Sequence, residues 1–396
     1  MLKKWWQKDG VKILVLYLAW QALILLASFF FTRQTWLPYE PSYPLSEVLA
    51  ANPLPVFLQR LGGFDGVHYL TIADGQARQV GGVQAFFPLY PILIRLLTSI
   101  LHNGLLSGLL ISALSLYGFL YCLFQLIKTL SDRRTAWICL FITLCLPASF
   151  FYLTVYSESL FLFLLAAFYH CYYRRRYRWV ILLGFLLSCC RIVGIFAVAS
   201  IVIDYLYQAW KKHQLGLPAY RQAFLLSLGG LGLVAYMVYL WYVYHDPLAF
   251  VHVQSAFGSG RDTANLVFLP QVFYRYLKMF LVGLPLDWKT YSIAQELLLS
   301  GLYLCGLGLC LYQNYRHHRQ VYPLAPLFFS LCAYLLPTLT GNFSSMPRYL
   351  LVCLIINLLL SNFFSRHRFW LGVFLVINTI FCLINQLLFV QGYWVS

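Results

Sequence analysis

The sequence is a succession of apolar runs, many about twenty residues long, separated by short clusters of lysine and arginine. That alternation leaves few folds open, because about 20 apolar residues is the length of helix that crosses a hydrocarbon core. Only 10% of the 396 residues are charged and 61% are hydrophobic, whereas soluble domains carry about a quarter charged residues. A water-soluble globule of this size could not cover its surface from such a composition. The chain therefore reads as an all-α, polytopic membrane protein, occupied throughout by a single integral membrane domain (1-396) with no low-complexity linker or internal repeat.

The net charge of +16 does not point to nucleic acid, since the basic residues come in short clusters between apolar segments. That is the distribution of topological anchors. Eleven cysteines lie inside or at the edges of apolar runs without a CxxC pair. They read as small hydrophobes, and neither disulfides nor a zinc site is expected.

The run Val11 to Phe31 has 21 residues, too long for a signal-peptide core, and is expected to be a retained first span. Placing the six main basic clusters inside gives one threading with eleven spans: 11–31, 105–128, 135–153, 157–173, 178–191, 193–210, 221–244, 291–313, 322–340, 347–364 and 369–390. The N-terminus is inside and the C-terminus outside, with long external loops at 32–104 and 245–290. On this threading the inner face holds 18 of the 28 Lys and Arg residues but only Asp9, Asp132 and Asp204 of twelve acids. Nine acids face out, where orientation does not require them, and chemistry is expected there. Ala85 to Leu101 is apolar enough to span, but Pro88, Pro91 and Arg95 suit a helix lying at the outer interface. Phe268 to Gly283 reads the same way, and a break at Arg191 separates the fifth and sixth spans.

Asp65 lies in Gly62-Gly63-Phe64-Asp65-Gly66, where glycines permit a sharp turn or close approach to a ligand. On spacing alone an exposed loop aspartate in an Asx turn is the favoured reading. His68, one helical turn on, can share a cavity with Asp65. Glu158 follows Pro147-Ala148-Ser149 and Tyr156-Ser157. It reads either as a helix-start carboxylate or as a ligand for sugar hydroxyls or for Arg191. Arg191 and Arg348 stand at outer helix ends, where they either snorkel to headgroups or bind a lipid-linked phosphate bidentately. Arg275 and Lys278 are weaker candidates for the same phosphate. Asp246, with His252 and Gln254 on one side of the following segment, opens the second external loop. No spacing matches a metal-ligand motif, so no essential metal or other cofactor is expected.

Phe64-Asp65-Gly66-Val67-His68-Tyr69, Ile72-Ala73 and Ala85-Phe86-Phe87-Pro88-Leu89-Tyr90-Pro91 resemble the first-loop signature of the PIG-V (GPI mannosyltransferase 2) family. Pro147-Ala148-Ser149 with Tyr156-Ser157-Glu158-Ser159, Arg191 with Gly194, Asp246-Pro247-Leu248-Ala249-Phe250 with Gln254, and Pro347-Arg348-Tyr349-Leu350 continue the resemblance in the family's order. It implies a GT-C glycosyltransferase with juxtamembrane helices in the first external loop and Asp65 as catalytic base. The stretch Gln79 to Gln84 departs from the family in lacking an acid before Ala85. The compact loops fit a prokaryotic relative, for which the GPI acceptor cannot be transferred.

Together these readings give an inverting transferase that moves mannose or a similar hexose from a polyprenyl-type phosphate sugar to a glycolipid or glycan hydroxyl. Its site would face outward from a bacterial or archaeal cytoplasmic membrane, or into the endoplasmic reticulum lumen in a eukaryote. Asp65 would be the base, His68, Glu158, Asp246 and Gln254 would orient hydroxyls, and Tyr90 and Tyr156 would stack on sugar. A lipid-linked sugar transporter or flippase is the rival, but it needs polar groups along a path at mid-membrane depth.

Overall fold

The computed structural model describes residues 9–41, 43, 45–76, 81–254, 267–283, 285, 287–317 and 321–395. The expected inner-cluster residues Lys3, Lys4, Lys8 and Arg319, and residues 77–80 and 255–266 of the two expected external loops, lie outside them. Among the described residues there is no strand. The longer helices are α1 (Asp9–Phe31), α2 (Asp65–Ala73), α3 (Leu89–Leu101), α4 (Gly104–Leu130), α5 (Arg133–Cys145), α6 (Glu158–Tyr173), α7 (Tyr177–Cys190) and α8 (Gly194–Lys211). They are followed by α9 (Leu217–Ser227), α10 (Leu231–Tyr244), α11 (Leu269–Val282), α12 (Trp288–Arg316), α13 (Leu324–Thr338), α14 (Leu354–Phe364) and α15 (Arg368–Val390).

Among the described residues, five helical stretches are long and apolar enough to cross a membrane: α1, α4, the stretch Leu217–Tyr244, α12 and α15. A sixth results if Met346–Val352 and α14, bent by 78° at Cys353, count as one broken span. Length thus does not give the eleven uninterrupted spans that charge and hydropathy lead one to expect. Helices α6, α7, α8 and α13 do form, but at 16, 14, 18 and 15 residues they extend only about 21–27 Å, short of a ~30 Å core. The span expected over 135–153 stops at Cys145, one residue before Leu146-Pro147, since a residue preceding proline is driven out of the helical region. Helix α3, with 13 residues, is likewise about 20 Å long and too short to span. It buries Tyr90, Pro91 and Ile94 and exposes Ile92, Leu96 and Ile100 at four-residue intervals, as a helix lying against an apolar medium would.

The chain forms two compact units, Met1–Val80 with Leu89–His170 and Ser361–Val395, and Gly81–Pro88 with Cys171–Leu360. In the first, α1 packs on α4 and α15, α4 on α3 and α5, and α2 on α3. Its core encloses a stretch without α-helix, residues 146–157, whose polar backbone is satisfied by side chains. The Leu144 carbonyl accepts from Trp20 Nε1 at 2.8 Å and Ser149 Oγ at 2.7 Å, and the Pro147 carbonyl accepts from Asn385 Nδ2 at 3.0 Å. Irregular backbone survives at membrane depth only when it is buried in protein and bonded in this way.

In the second unit α8 packs against α13, α7 and α9, and α10 lies on α7. The expected break falls where α7 ends, with Arg191 extended at φ −154° and ψ 151°. Gly194 then starts α8 so close to α7 that an added Cβ would lie 2.3 Å from the Leu187 carbonyl oxygen. The Phe86-Phe87 block packs on the second loop within this unit, Phe87 lying 4.8 Å from the Tyr236 ring and 5.6 Å from Phe250. The Tyr236 hydroxyl donates to the Gln84 carbonyl at 2.8 Å.

Gly194→Ala is expected to destabilise the protein by about 1–3 kcal/mol by forcing α7 and α8 apart. Gly308→Ala, where nothing lies within 4 Å of the added carbon, should leave the melting temperature in detergent unchanged or raise it slightly. Equal losses for the two variants would show that the close approach at Gly194 carries no energetic weight.

Candidate functional site

Asp65 opens α2, and the backbone just before it is strained. Phe64 has φ 54° and ψ −118°, a region that costs a bulky residue on the order of 1–3 kcal/mol. Packing holds it there. The Phe64 ring lies 4.6 Å from Tyr43 and 5.3 Å from both Phe389 and Trp394. Gly62 is required beside it, because a Cβ would meet Leu105 at 2.6 Å and Leu49 at 2.9 Å.

The irregular stretch 146–157 completes the clamp. The Val155 N–H donates to the Leu61 carbonyl at 3.1 Å. The Tyr156 hydroxyl donates to the Gly63 carbonyl at 3.2 Å and accepts from the Asp65 N–H at 3.1 Å. Tyr69 Oη and Ser157 Oγ share a hydrogen bond of 2.9 Å, which fixes α2 to the start of α6. The outcome is a half-buried Asp65 at a helix start whose backbone is held on both sides.

His68 is 7% exposed. Burial lowers its pKa from the ordinary 6.5, and the nearby Asp65 charge opposes that shift without cancelling it. The imidazole is therefore neutral at pH 7. Glu158 begins α6 at 2% exposure, in the first helical turn where a carboxylate is favoured. Tyr90 and Tyr156, at 0% and 2% exposure, have no ring face open to a sugar. Their hydroxyls brace the backbone instead, that of Tyr90 reaching the Gly108 carbonyl at 3.0 Å and Ser112 Oγ at 2.8 Å.

The remaining candidates belong to the second unit. Arg191 and Arg348, 157 positions apart in sequence, flank one ring: their guanidinium carbons lie 5.9 Å and 5.4 Å from the centre of Tyr349. Arg348 is 6% exposed. The loop leading to it is held by residues that the spacing in the sequence does not reveal. Glu296 Oε1 accepts from the Ser345 N–H at 3.2 Å and its Oε2 from the Tyr276 hydroxyl at 2.7 Å. That hydroxyl accepts in turn from the Phe343 N–H at 3.0 Å. Arg275 donates Nη1 to the Gly341 carbonyl at 3.1 Å, so this donor braces the same loop. Lys278 is exposed. In the sequence Glu296 is marked only as an acid inside an apolar span, a placement that is costly unless partnered.

Asp246 turns the chain by accepting from the Leu248 N–H at 2.9 Å and pairs with His252 Nδ1 at 2.7 Å. The His252 hydrogen bond holds the Asp246 carboxyl below its usual range. Gln254 Nε2 donates to the Phe250 carbonyl at 3.0 Å. Among the described residues no three of His, Cys, Asp and Glu converge as a metal-ligand cluster.

The model of the family described as "Mannosyltransferase (PIG-V)" matches residues 10–276, which include Asp65, His68, Glu158, Arg191 and Asp246. No curated protein matches the chain. Among solved structures, crystal structures of the Archaeoglobus fulgidus oligosaccharyltransferase match. The complex with Zn and sulfate is 13% identical with a TM-score of 0.47, covering 95% of this chain and 53% of that one. The form tethered to an acceptor peptide containing the NVT sequon is 12% identical with a TM-score of 0.47, covering 96% of this chain and 55% of that one. The apo form is 12% identical with a TM-score of 0.47, covering 95% of this chain and 56% of that one. This chain thus spans about half the length of the enzyme it matches.

Two outcomes test the clamp. Tyr156→Phe should cost about 1–3 kcal/mol by leaving buried backbone groups unsatisfied, with faster amide exchange at Asp65 and Gly66 while distant helices keep their protection. The unfolded chain protonates His68 near pH 6.5 and the native protein only at lower pH, so stability should fall as pH drops below about 6.5. His68→Asn should remove that part of the loss in melting temperature measured between pH 7.5 and 5.5.

Proposed function

The chain belongs to the Mannosyltransferase (PIG-V) family, and from that premise we propose that it is an inverting glycosyltransferase of the GT-C type. Its donor is a polyprenyl-type phosphate sugar carrying mannose or a similar hexose, and its acceptor is a hydroxyl of a glycolipid or glycan outside the cytoplasm. The observation that carries this reading is Asp65: an acid within the matched span, half-buried, on a backbone clamped by Tyr156 and strained at Phe64.

In the proposed reaction Asp65 accepts the acceptor hydroxyl proton as its oxygen attacks the anomeric carbon. The bond from that carbon to the phosphate oxygen breaks, and the lipid phosphate leaves with the electron pair. A neutral His68 suits hydrogen bonding to a sugar hydroxyl, and Glu158 and Asp246 can accept from others. The leaving phosphate needs stabilisation of charge more than a proton, a task for the guanidiniums of Arg191 and Arg348. No resident cofactor is part of the proposal.

The test is release of polyprenyl phosphate from polyprenyl-phosphate mannose by purified protein. Asp65→Asn should fold normally and lower kcat by about 10²–10⁴, the worth of general-base help, with little change in KM. Arg348→Gln should lower kcat/KM. Near-normal turnover by Asp65→Asn would overturn the base assignment, and movement of the lipid without cleavage would favour a transporter.

A further inference from the structure

One end of the first unit gathers cations that lie far apart in sequence. Lys12 stands in the first turn of α1, Arg133 and Arg134 open α5, and Arg368 opens α15. With Trp137 and Phe141 they line a cavity of about 620 Å³.

Neighbouring carboxylates cancel only the Arg133 part of this charge. Asp9 is held by Arg133, through Nε at 3.0 Å and Nη2 at 2.6 Å, with Lys128 Nζ at 3.5 Å. Asp132 caps α5 by accepting from the Arg134 and Thr135 N–H groups at 2.7 Å and 3.0 Å. Arg134 donates Nη2 to the neutral Ser365 carbonyl at 2.7 Å, which leaves its charge uncompensated. Among the described residues no carboxylate pairs with Lys12 or Arg368, and both are exposed.

This cavity lies apart from Asp65. Helix α1 has 23 residues and so extends about 35 Å. Lys12 is at its start. At its other end Gln391 donates to the Phe31 carbonyl and accepts from Arg60, close to the Asp65 loop.

We infer that the cavity binds the phosphodiester headgroup of an anionic membrane lipid. The cations at its mouth supply the charge for a phosphate. The aromatic wall supplies something a soluble phosphate would not use, an apolar surface for the adjoining glycerol and acyl carbons. Phe369 and Trp370 at the start of α15 are 74% and 58% exposed, as aromatic residues at a headgroup boundary are. Free phosphate offers the same anionic chemistry, and the experiment separates the two sources.

Native mass spectrometry of the full chain in neutral detergent would measure binding of phosphatidylglycerol, phosphatidylcholine and inorganic phosphate. Each Lys or Arg near an anionic surface is worth about fivefold in affinity. Lys12→Gln/Arg134→Gln/Arg368→Gln should therefore weaken phosphatidylglycerol by about a hundredfold. The Lys12→Gln/Arg368→Gln pair touches only exposed side chains, and it should weaken the lipid by about 25-fold with no change in melting temperature. The comparison is Lys211→Gln/Lys212→Gln/Arg221→Gln, which removes equal charge elsewhere and should leave binding within about twofold. Equal losses in both sets, or none in the pocket set, would overturn the site. Binding of inorganic phosphate alone with the same dependence on Lys12 and Arg368 would overturn the lipid as its occupant.

Discussion

The hydroxyl of Tyr156 sits between the Gly63 carbonyl and the Asp65 amide, and the architecture around the candidate base depends on it. Two buried backbone groups outside regular structure would each cost about 1–3 kcal/mol if left unmade in a dry interior. One phenol serves both and sets where α2 begins. The stretch that delivers Tyr156 is itself irregular, so the same demand passes along it: Ser112 donates to the Tyr156 carbonyl at 3.3 Å, and Ser159 to the Tyr152 carbonyl at 2.6 Å. Each bond comes from a helix that hydropathy would count only as a span.

The second unit repeats this solution with different chemistry. The loop before Arg348 has Gly341 at φ 90° and Ser345 at φ 67°, and its backbone is held by Arg275, Tyr276 and Glu296. A left-handed residue also precedes Asp246, namely His245 at φ 57°. At Phe64 and in the loop before Arg348, then, a candidate functional side chain follows strained backbone that surrounding residues hold in place. Such strain persists only where packing opposes its relaxation, and it fixes the direction of the side chain that follows. Phe64, wedged among Tyr43, Phe389 and Trp394, is the clearest case.

The candidate residues stand out in the sequence because they break the rules of their surroundings. Asp65, Glu158, Arg191 and Arg348 are charged where apolar packing and orientation ask for nothing charged. Tyr90 and Tyr156 belong to the same motifs, yet their rings are enclosed and their hydroxyls bond to protein. A tyrosine beside an acid has one appearance in sequence whether it stacks on a sugar or braces a loop. Glu296 is hidden in the sequence for the converse reason: its partners Tyr276 and Ser345 lie 20 and 49 positions away, beyond any local pattern.

The sequence by itself determined an all-helical membrane protein, the places of most of its longer helices and the break at Arg191. These follow from hydropathy, proline and charge, which act over one or two helical turns. Tertiary structure decided that the chain stays irregular beyond Pro147, whose carbonyl Asn385 reaches, and that the helix expected over 347–364 bends at Cys353. It decided that Arg191 and Arg348 meet at one tyrosine and that Lys12, Arg133, Arg134 and Arg368 meet at one cavity. The physical reason for these meetings is that they join groups more than a hundred residues apart in sequence, whose contacts exist only once the helices have packed.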